Sequence, residues 1–187
     1  PYFVPGEKFT GQLVALVERG VRVRILTNSL QANDVSLVHA GYMRYRKDLI
    51  RGGIELYEFR STSNKVRRRL KRDRIDAAKT SLHAKFFGYD EHYLFIGSFN
   101  LDGRSAKLNT ELGTYFASPE QARNLSTMFD ETILNFAYRV QLDDRGKLEW
   151  VGMIDGQEVR QSHEPDTSWW KRFSTGILSY VVPESQL

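Results

Sequence analysis

Hydrophobic and polar positions in the first third of the chain follow two spacings in turn. Over residues 7–19 the apolar residues lie three and four positions apart, which predicts an amphipathic helix. Residues 21–27 (VRVRILT) alternate and are rich in β-branched side chains, which predicts a strand. The same pair then repeats as a second helix and a second strand, over residues 35–50 and 54–59. Asn33-Asp34 is expected to cap the second helix. Helix followed by strand, repeated, is typical of an α/β fold with a mixed sheet flanked by helices.

The second half of the chain continues with shorter elements. Two apolar, aromatic-rich segments over residues 82–89 and 93–98 flank Asp90-Glu91-His92, which predicts two strands joined by a tight turn. Four further elements are predicted: a strand over residues 112–117, a helix from residue 118 to about 135, a β segment over 139–159 and a helix over 168–180.

Polar residues interrupt the apolar pattern within the predicted hairpin. Because side chains alternate along a strand, His83 and Lys85 should share one face. Ser98 and Asn100 share a face in the same way if the second strand continues that far. An imidazole can act as nucleophile or acid/base, while an ammonium and an amide can bind phosphoryl oxygens. The four groups could therefore act together on one phosphodiester without a metal ion.

Size and composition suit one domain with a substantial core. The chain has 187 residues, of which 41% are hydrophobic, and it has no cysteine. The lack of cysteine excludes disulfides, a thiolate nucleophile and Cys-ligated metals. The longest apolar runs are far shorter than the roughly 20 residues of a membrane-spanning helix. Because the chain begins with Pro1, at what resembles the end of a strand, we expect a fragment of a longer protein.

Positive charge is concentrated in one run. Residues 65–74 (KVRRRLKRDR) include seven basic residues and one acidic residue, in a chain whose net charge is +4. Such a run is either a solvated loop or a patch that attracts anionic lipid head groups or nucleic acid. Its position shortly before His83 favours the second interpretation. The predicted contacts with anionic lipid are Lys65, Arg67, Arg68 and Arg69.

The hairpin segment HAKFFGYDEHYLFIGSFN, over residues 83–100, fits H-x-K-x4-D-x6-G-S-x-N at every fixed position. It resembles the HKD motif of the phospholipase D superfamily. The resemblance extends to residues 29–46 upstream and to NLDGRS and NTE downstream, and it is closest to the C-type branch of bacterial cardiolipin synthases. Gly103 is a departure, because the family usually has proline there. The resemblance implies a single phospholipase D-like domain over residues 1–187, whose last part, 139–187, is a β segment and a helix.

The resemblance also implies roles for individual residues. Three would contact the phosphate: His83, Lys85 and Asn100. Glu111 would hydrogen-bond and orient a catalytic histidine, and Ser98 would support the phosphate pocket. Asp90, although part of the motif, would be structural and would tie down the hairpin. No metal or other cofactor is expected.

In this superfamily two motifs face each other across a pseudo-twofold axis. One histidine attacks phosphorus to form a phosphohistidine, and the other protonates the leaving group. This chain has one motif and no second H-x-K. It therefore resembles the C-terminal half of a two-motif enzyme, and we expect it to be inactive without the missing N-terminal half or a second copy. A single-motif enzyme that completes its site as a homodimer is the other arrangement.

The implied function is phosphatidyl transfer, which makes cardiolipin from phosphatidylglycerol and a second phospholipid. The implied location is peripheral, at the cytoplasmic face of the bacterial inner membrane, and nucleic acid is not the expected partner. Two alternatives stay open: a phosphodiesterase or endonuclease acting on nucleic acid as a homodimer, and a half-domain without activity by itself. The final helix, with Trp169-Trp170 beside Lys171-Arg172, either packs on the core or lies at the bilayer surface.

Overall fold

The computed structural model describes residues 1–61 and 81–181. Within these residues the strands form two sheets. The larger is mixed, with the order β1-β2-β6-β7-β8, and only its β1–β2 pair is parallel. Its strands are β1 (Arg24–Asn28), β2 (Glu55–Phe59), β6 (Ala137–Leu142), β7 (Leu148–Ile154) and β8 (Gln157–Gln161). The smaller sheet is antiparallel and consists of β3 (Phe86–Tyr89), β4 (Tyr93–Gly97) and β5 (Gly113–Ala117).

Helices flank the sheets, as the sequence pattern predicts. They are α1 (Gly6–Glu18), α2 (Ser36–Arg51), α3 (Gly103–Lys107), α4 (Pro119–Thr127) and α5 (Trp169–Val181). The predicted α/β class with a mixed sheet is confirmed. Separation of the motif hairpin into a second sheet was not predicted. In the described part of the chain, no helix is both long and apolar enough to cross a membrane.

The main core lies between the large sheet and the first two helices. Alternation along β2 sends Leu56 toward α1 and α2, and Tyr57 toward the opposite face. On that opposite face Tyr57 packs with Ile133, Phe129 and Phe136. Both faces of the parallel pair are therefore covered.

The cap predicted for the second helix is wrong. Asn33 Oδ1 accepts a hydrogen bond from the Val35 N–H at 3.0 Å, so Asn33 closes a turn ahead of the helix. Asp34 accepts a hydrogen bond from the Tyr2 hydroxyl at 2.8 Å instead. The helix begins at Ser36 with no side-chain cap.

A buried ionic cluster joins α2, β2 and the segment before α5. The Arg46 guanidinium lies 3.2 Å from a Glu58 carboxylate oxygen and 2.8 Å from one of Glu164. Trp150 Nε1 donates to Glu58 at 2.8 Å, and His39 Nε2 lies 2.9 Å from Arg46. Burial acts to raise the pKa of Glu164, but the charges and hydrogen bonds of Arg46 and His39 together outweigh it and lower that pKa to about 2. His39 is 1% exposed and packs within this cluster.

Candidate active site

The motif hairpin has the predicted tight turn. Asp90 and Glu91 have φ of 51° and 52°, and the His92 N–H donates to the Tyr89 carbonyl at 3.0 Å. Two consecutive left-handed residues form the kind of turn whose twist matches that of paired strands. The Asp90 carboxylate has no hydrogen bond or ion pair among the described residues, so Asp90 contributes here through its backbone conformation.

His83 and Lys85 come together just before this hairpin. Lys85 Nζ lies 3.2 Å from His83 Nε2 and donates to the His83 carbonyl at 3.1 Å. The pair forms although β3 begins only at Phe86, four residues later than predicted. The Lys85 carbonyl still accepts from the Gly97 N–H at 3.1 Å, which keeps this segment beside β4.

Asn28, at the end of β1, holds the backbone that leads into His83. Its Nδ2 donates to the Leu82 carbonyl at 2.9 Å, and its Oδ1 accepts from the Leu82 N–H at 2.8 Å. Asn28 is buried, at 1% exposure. Asn28 was not among the residues predicted for the site. Its position directly after an apolar strand was the available signal, because polar side chains at a strand end often serve a site.

A second polar pair lies where β4 ends and β5 begins. The Ser98 hydroxyl donates to Glu111, and Asn109 Nδ2 donates to the other Glu111 oxygen at 3.3 Å. Hydrogen bonds from Ser98, then Ser105 and Asn109, hold the pKa of Glu111 below its usual value, and the charge of Lys85 acts in the same direction. Glu111 is therefore a carboxylate that hydrogen bonds hold in place and that interacts electrostatically with Lys85. It makes no described contact with His83.

Asn100 does not share a strand face with Ser98, because β4 ends at Gly97. The Asn100 N–H donates to the Ser105 hydroxyl at 3.3 Å, while the side-chain Oδ1 is buried without a partner in the described structure. Asn100 and Lys85 line one cavity of about 600 Å³ between the two sheets. The structure thus arranges two hydrogen-bonded pairs, with Asn100 beside them, where the sequence predicted a single four-residue face.

Other side chains are not among the described members of this cluster. The basic residues proposed to contact anionic lipid lie outside the described residues: Lys65, Arg67, Arg68 and Arg69. His92 is exposed in the hairpin turn, and His163 is exposed as well. Gly103 is the first residue of α3, a position where proline is favoured, and Asp102 caps this helix by accepting from the Ser105 N–H at 2.7 Å.

Taken together, these groups suit chemistry on a phosphate ester. The cluster offers one imidazole, one ammonium, one amide and one anchored carboxylate, and His83 and Ser98 are open to solvent. An imidazole can attack or transfer a proton, and the cation and amide can stabilise charge on phosphoryl oxygens. In-line displacement also needs a group on the far side of phosphorus, which no described residue of this cluster supplies.

Comparison with known proteins gives consistent matches. The family described as cardiolipin synthase, PLD-like domain, matches residues 1–133. Cardiolipin synthase C of Escherichia coli K12 is 42% identical over 98% of this chain and 39% of its own length. Cardiolipin synthase B of the same strain is 25% identical over 96% of this chain and 34% of its own length. The chain thus spans well under half of each of these relatives.

Among solved structures, the crystal structure of a phospholipase D family member, Nuc from Salmonella typhimurium, has a similar fold. The TM-score is 0.51 with 16% sequence identity, over 75% of this chain and 78% of that one. At this identity the likeness concerns the fold alone.

Proposed function

Because the chain belongs to the family of phospholipase D-like domains found in cardiolipin synthases, we propose that it is one catalytic half of a phosphatidyltransferase. The complete enzyme would make cardiolipin from phosphatidylglycerol and a second phospholipid. The observation that carries this proposal is the His83–Lys85 pair beside the Ser98–Glu111 pair, in a chain that is 42% identical to a cardiolipin synthase C.

The proposed reaction uses two imidazoles, of which His83 is one. One imidazole attacks the phosphorus of the donor phospholipid, the bond to the head-group alcohol breaks, and the other imidazole gives that alcohol a proton. A hydroxyl of phosphatidylglycerol then attacks the phosphohistidine and passes its proton to the second imidazole as cardiolipin forms. Lys85 and Asn100 would stabilise the charge on the phosphoryl oxygens.

We assign Glu111 to the histidine of the second half. It is anchored by Ser98 and Asn109 and makes no described contact with His83. A fixed carboxylate beside an imidazole sets its tautomer and stabilises the imidazolium. The missing half would bring its histidine to this carboxylate and place it opposite His83.

An exposed aromatic face of the small sheet supports the need for a second half. Tyr89, Tyr93 and Tyr115 are 47%, 38% and 58% exposed. The rings of Tyr93 and Tyr115 stack with centroids 5.2 Å apart. Exposed apolar surface of this kind marks an interaction site. We propose that the second half covers it.

A nucleic-acid phosphodiesterase is the competing function, because the basic run over residues 65–74 would attract either polyanion. The test is to incubate the parent protein, with both halves, with phosphatidylglycerol vesicles and separately with single-stranded DNA, in the presence of a chelator. We expect cardiolipin and intact DNA. Cleaved DNA without cardiolipin would favour the nuclease, and neither product would favour a half-domain without catalytic function.

A further inference from the structure

The final helix, α5, presents an apolar face to solvent. Five large hydrophobic side chains on it are exposed: Trp169 57%, Trp170 70%, Phe173 49%, Ile177 49% and Tyr180 91%. Trp169 stacks on Phe173 with centroids 5.2 Å apart, and Trp170 packs edge-on against Trp169 at 4.7 Å. We call this surface the α5 aromatic face. It bears no charged side chain.

The polar side of the same helix is turned toward the protein. Lys171 Nζ donates to the Leu30 carbonyl at 2.7 Å. Thr175 is 1% exposed. A surface helix of a globular protein normally buries its apolar stripe and exposes its polar one. Here the orientation is the reverse, so packing within the described chain does not account for the α5 aromatic face.

Two cations lie close to this face. Arg44 of α2 donates to the Ser179 carbonyl near the end of α5, and Arg172 follows Lys171 in the first turn, on the side of the helix next to Trp169. Both side chains are partly exposed. An apolar surface with indole and phenol rings and a positive margin complements the interface of an anionic bilayer, where such rings sit at the head-group level.

We infer that the α5 aromatic face docks onto a lipid bilayer, with the helix lying in the plane of the interface. A helix of 13 residues is about 20 Å long, which is too short to span the hydrocarbon core. This inference deepens the proposed function, on which the choice of a lipid partner rests.

Tryptophan fluorescence tests the inference directly. Trp150 is 3% exposed and gives a constant background, while Trp169 and Trp170 report on the face. With vesicles of phosphatidylglycerol and phosphatidylcholine, we expect a blue shift and quenching by acyl-chain-brominated lipid, both persisting at high salt. Trp169→Ser/Trp170→Ser should weaken vesicle partition by at least about tenfold. The control is Leu108→Ser, 72% exposed just after α3, which should partition normally.

Two results would overturn the inference: no quenching of the unmodified chain by brominated lipid, or an equal loss of partition in the control. Weakened association with the second half, with unchanged vesicle partition, would assign the face to that half and also overturn it. His83→Ala separates docking from catalysis and should dock normally. If the parent protein docks but forms no cardiolipin, the docking inference stands and the proposed function is rejected. If it forms cardiolipin without docking through this face, the proposed function stands and the docking inference is rejected.

Discussion

Asn28 shows how a single buried side chain positions the proposed catalytic segment. It pairs with both backbone groups of Leu82, directly before His83. We predict that Asn28→Leu lowers kcat of the parent protein by about 10- to 100-fold with little change in KM, because small displacements of a reacting group are costly. Asn28→Asp keeps the hydrogen-bond acceptor for the Leu82 N–H and loses the donor to the Leu82 carbonyl, so its kcat should lie between those of the unmodified protein and Asn28→Leu. Steady-state kinetics on phosphatidylglycerol vesicles measures both.

The matched control is Asn124→Leu, at an exposed asparagine on α4, which should leave kcat unchanged. Circular dichroism must show that each variant is folded. Normal turnover by folded Asn28→Leu would remove Asn28 from the positioning machinery.

His83 carries the strongest single-residue prediction. In the parent protein, His83→Ala should lower turnover by more than about 10³-fold while the fold survives, because no other described imidazole lies in the cluster. His92→Ala, at the exposed hairpin turn, is the control and should retain activity. Near-normal cardiolipin formation by folded His83→Ala would refute the assignment of His83 as a catalytic residue.

For single residues, the sequence predicts those members of the site that lie close together along the chain. His83, Lys85 and Ser98 belong to one short motif, so its fixed gaps point to them together. Asn28 could not be found in the same way, because its partner Leu82 is 54 residues away and only the fold joins them. The separation of Ser98 from Asn100 and the pairing of Ser98 with Glu111 were also missed, since they depend on where β4 ends.

Among the elements, the buried ionic cluster ties α2 to the large sheet. Arg46 is 1% exposed and lies between the carboxylates of Glu58 and Glu164. Arg46→Met would leave two buried carboxylates without their cation, and we predict a loss of about 3–5 kcal/mol in the free energy of unfolding. Chemical denaturation followed by circular dichroism gives the value.

Arg51→Met is the control for this prediction. Arg51 lies on the same helix, 61% exposed, 3.7 Å from Asp48. Losing an exposed pair of this kind costs no more than about 1 kcal/mol. Equal losses in the free energy of unfolding for Arg46→Met and Arg51→Met would show that the buried cluster stabilises the fold no more than an exposed ion pair does.

The limits of α1 and α2 were predicted more closely than those of β1 for a physical reason. Amphipathic periodicity is local, so α1 and α2 begin and end within about one residue of prediction. Strand limits depend on pairing, so β1 begins at Arg24 rather than at residue 21. The helix predicted to reach residue 135 is α-helical to Thr127 and continues as a π-helix over Met128–Thr132 and a 3-10 helix over Ile133–Asn135, where its side chains cover the far face of β2.

For the molecule as a whole, anionic lipid binding is predicted to have a salt-dependent part from the basic run, which lies outside the described residues. The test neutralises four residues to glutamine: Lys65, Arg67, Arg68 and Arg69. Vesicle binding at low salt should weaken by about 1 kcal/mol for each charge, and the difference should shrink as salt rises. Vesicle sedimentation measures both effects.

A control with the same change in net charge uses four exposed basic residues elsewhere: Lys8, Lys47, Arg145 and Lys147. These substitutions should weaken binding less, because their charges are spread over the surface. If both sets weaken binding equally, net charge rather than the basic run attracts the membrane.

The proposed need for a second half concerns the whole enzyme. One motif supplies one histidine, whereas the proposed reaction uses two. The reason is geometric, since attack and protonation occur on opposite sides of phosphorus. The sequence predicts the missing group from the single H-x-K. The structure adds an open site and an exposed aromatic face on the small sheet.

The most direct test of this account measures cardiolipin formed from phosphatidylglycerol vesicles by the 187-residue chain, alone and mixed with the proposed N-terminal half, with its oligomeric state determined by light scattering. We predict little or no product from the chain alone, and product from the mixture that disappears with His83→Ala. Robust cardiolipin formation by a monomeric chain would contradict the two-imidazole mechanism. The same activity from a homodimer would keep that mechanism and reject the half-enzyme architecture.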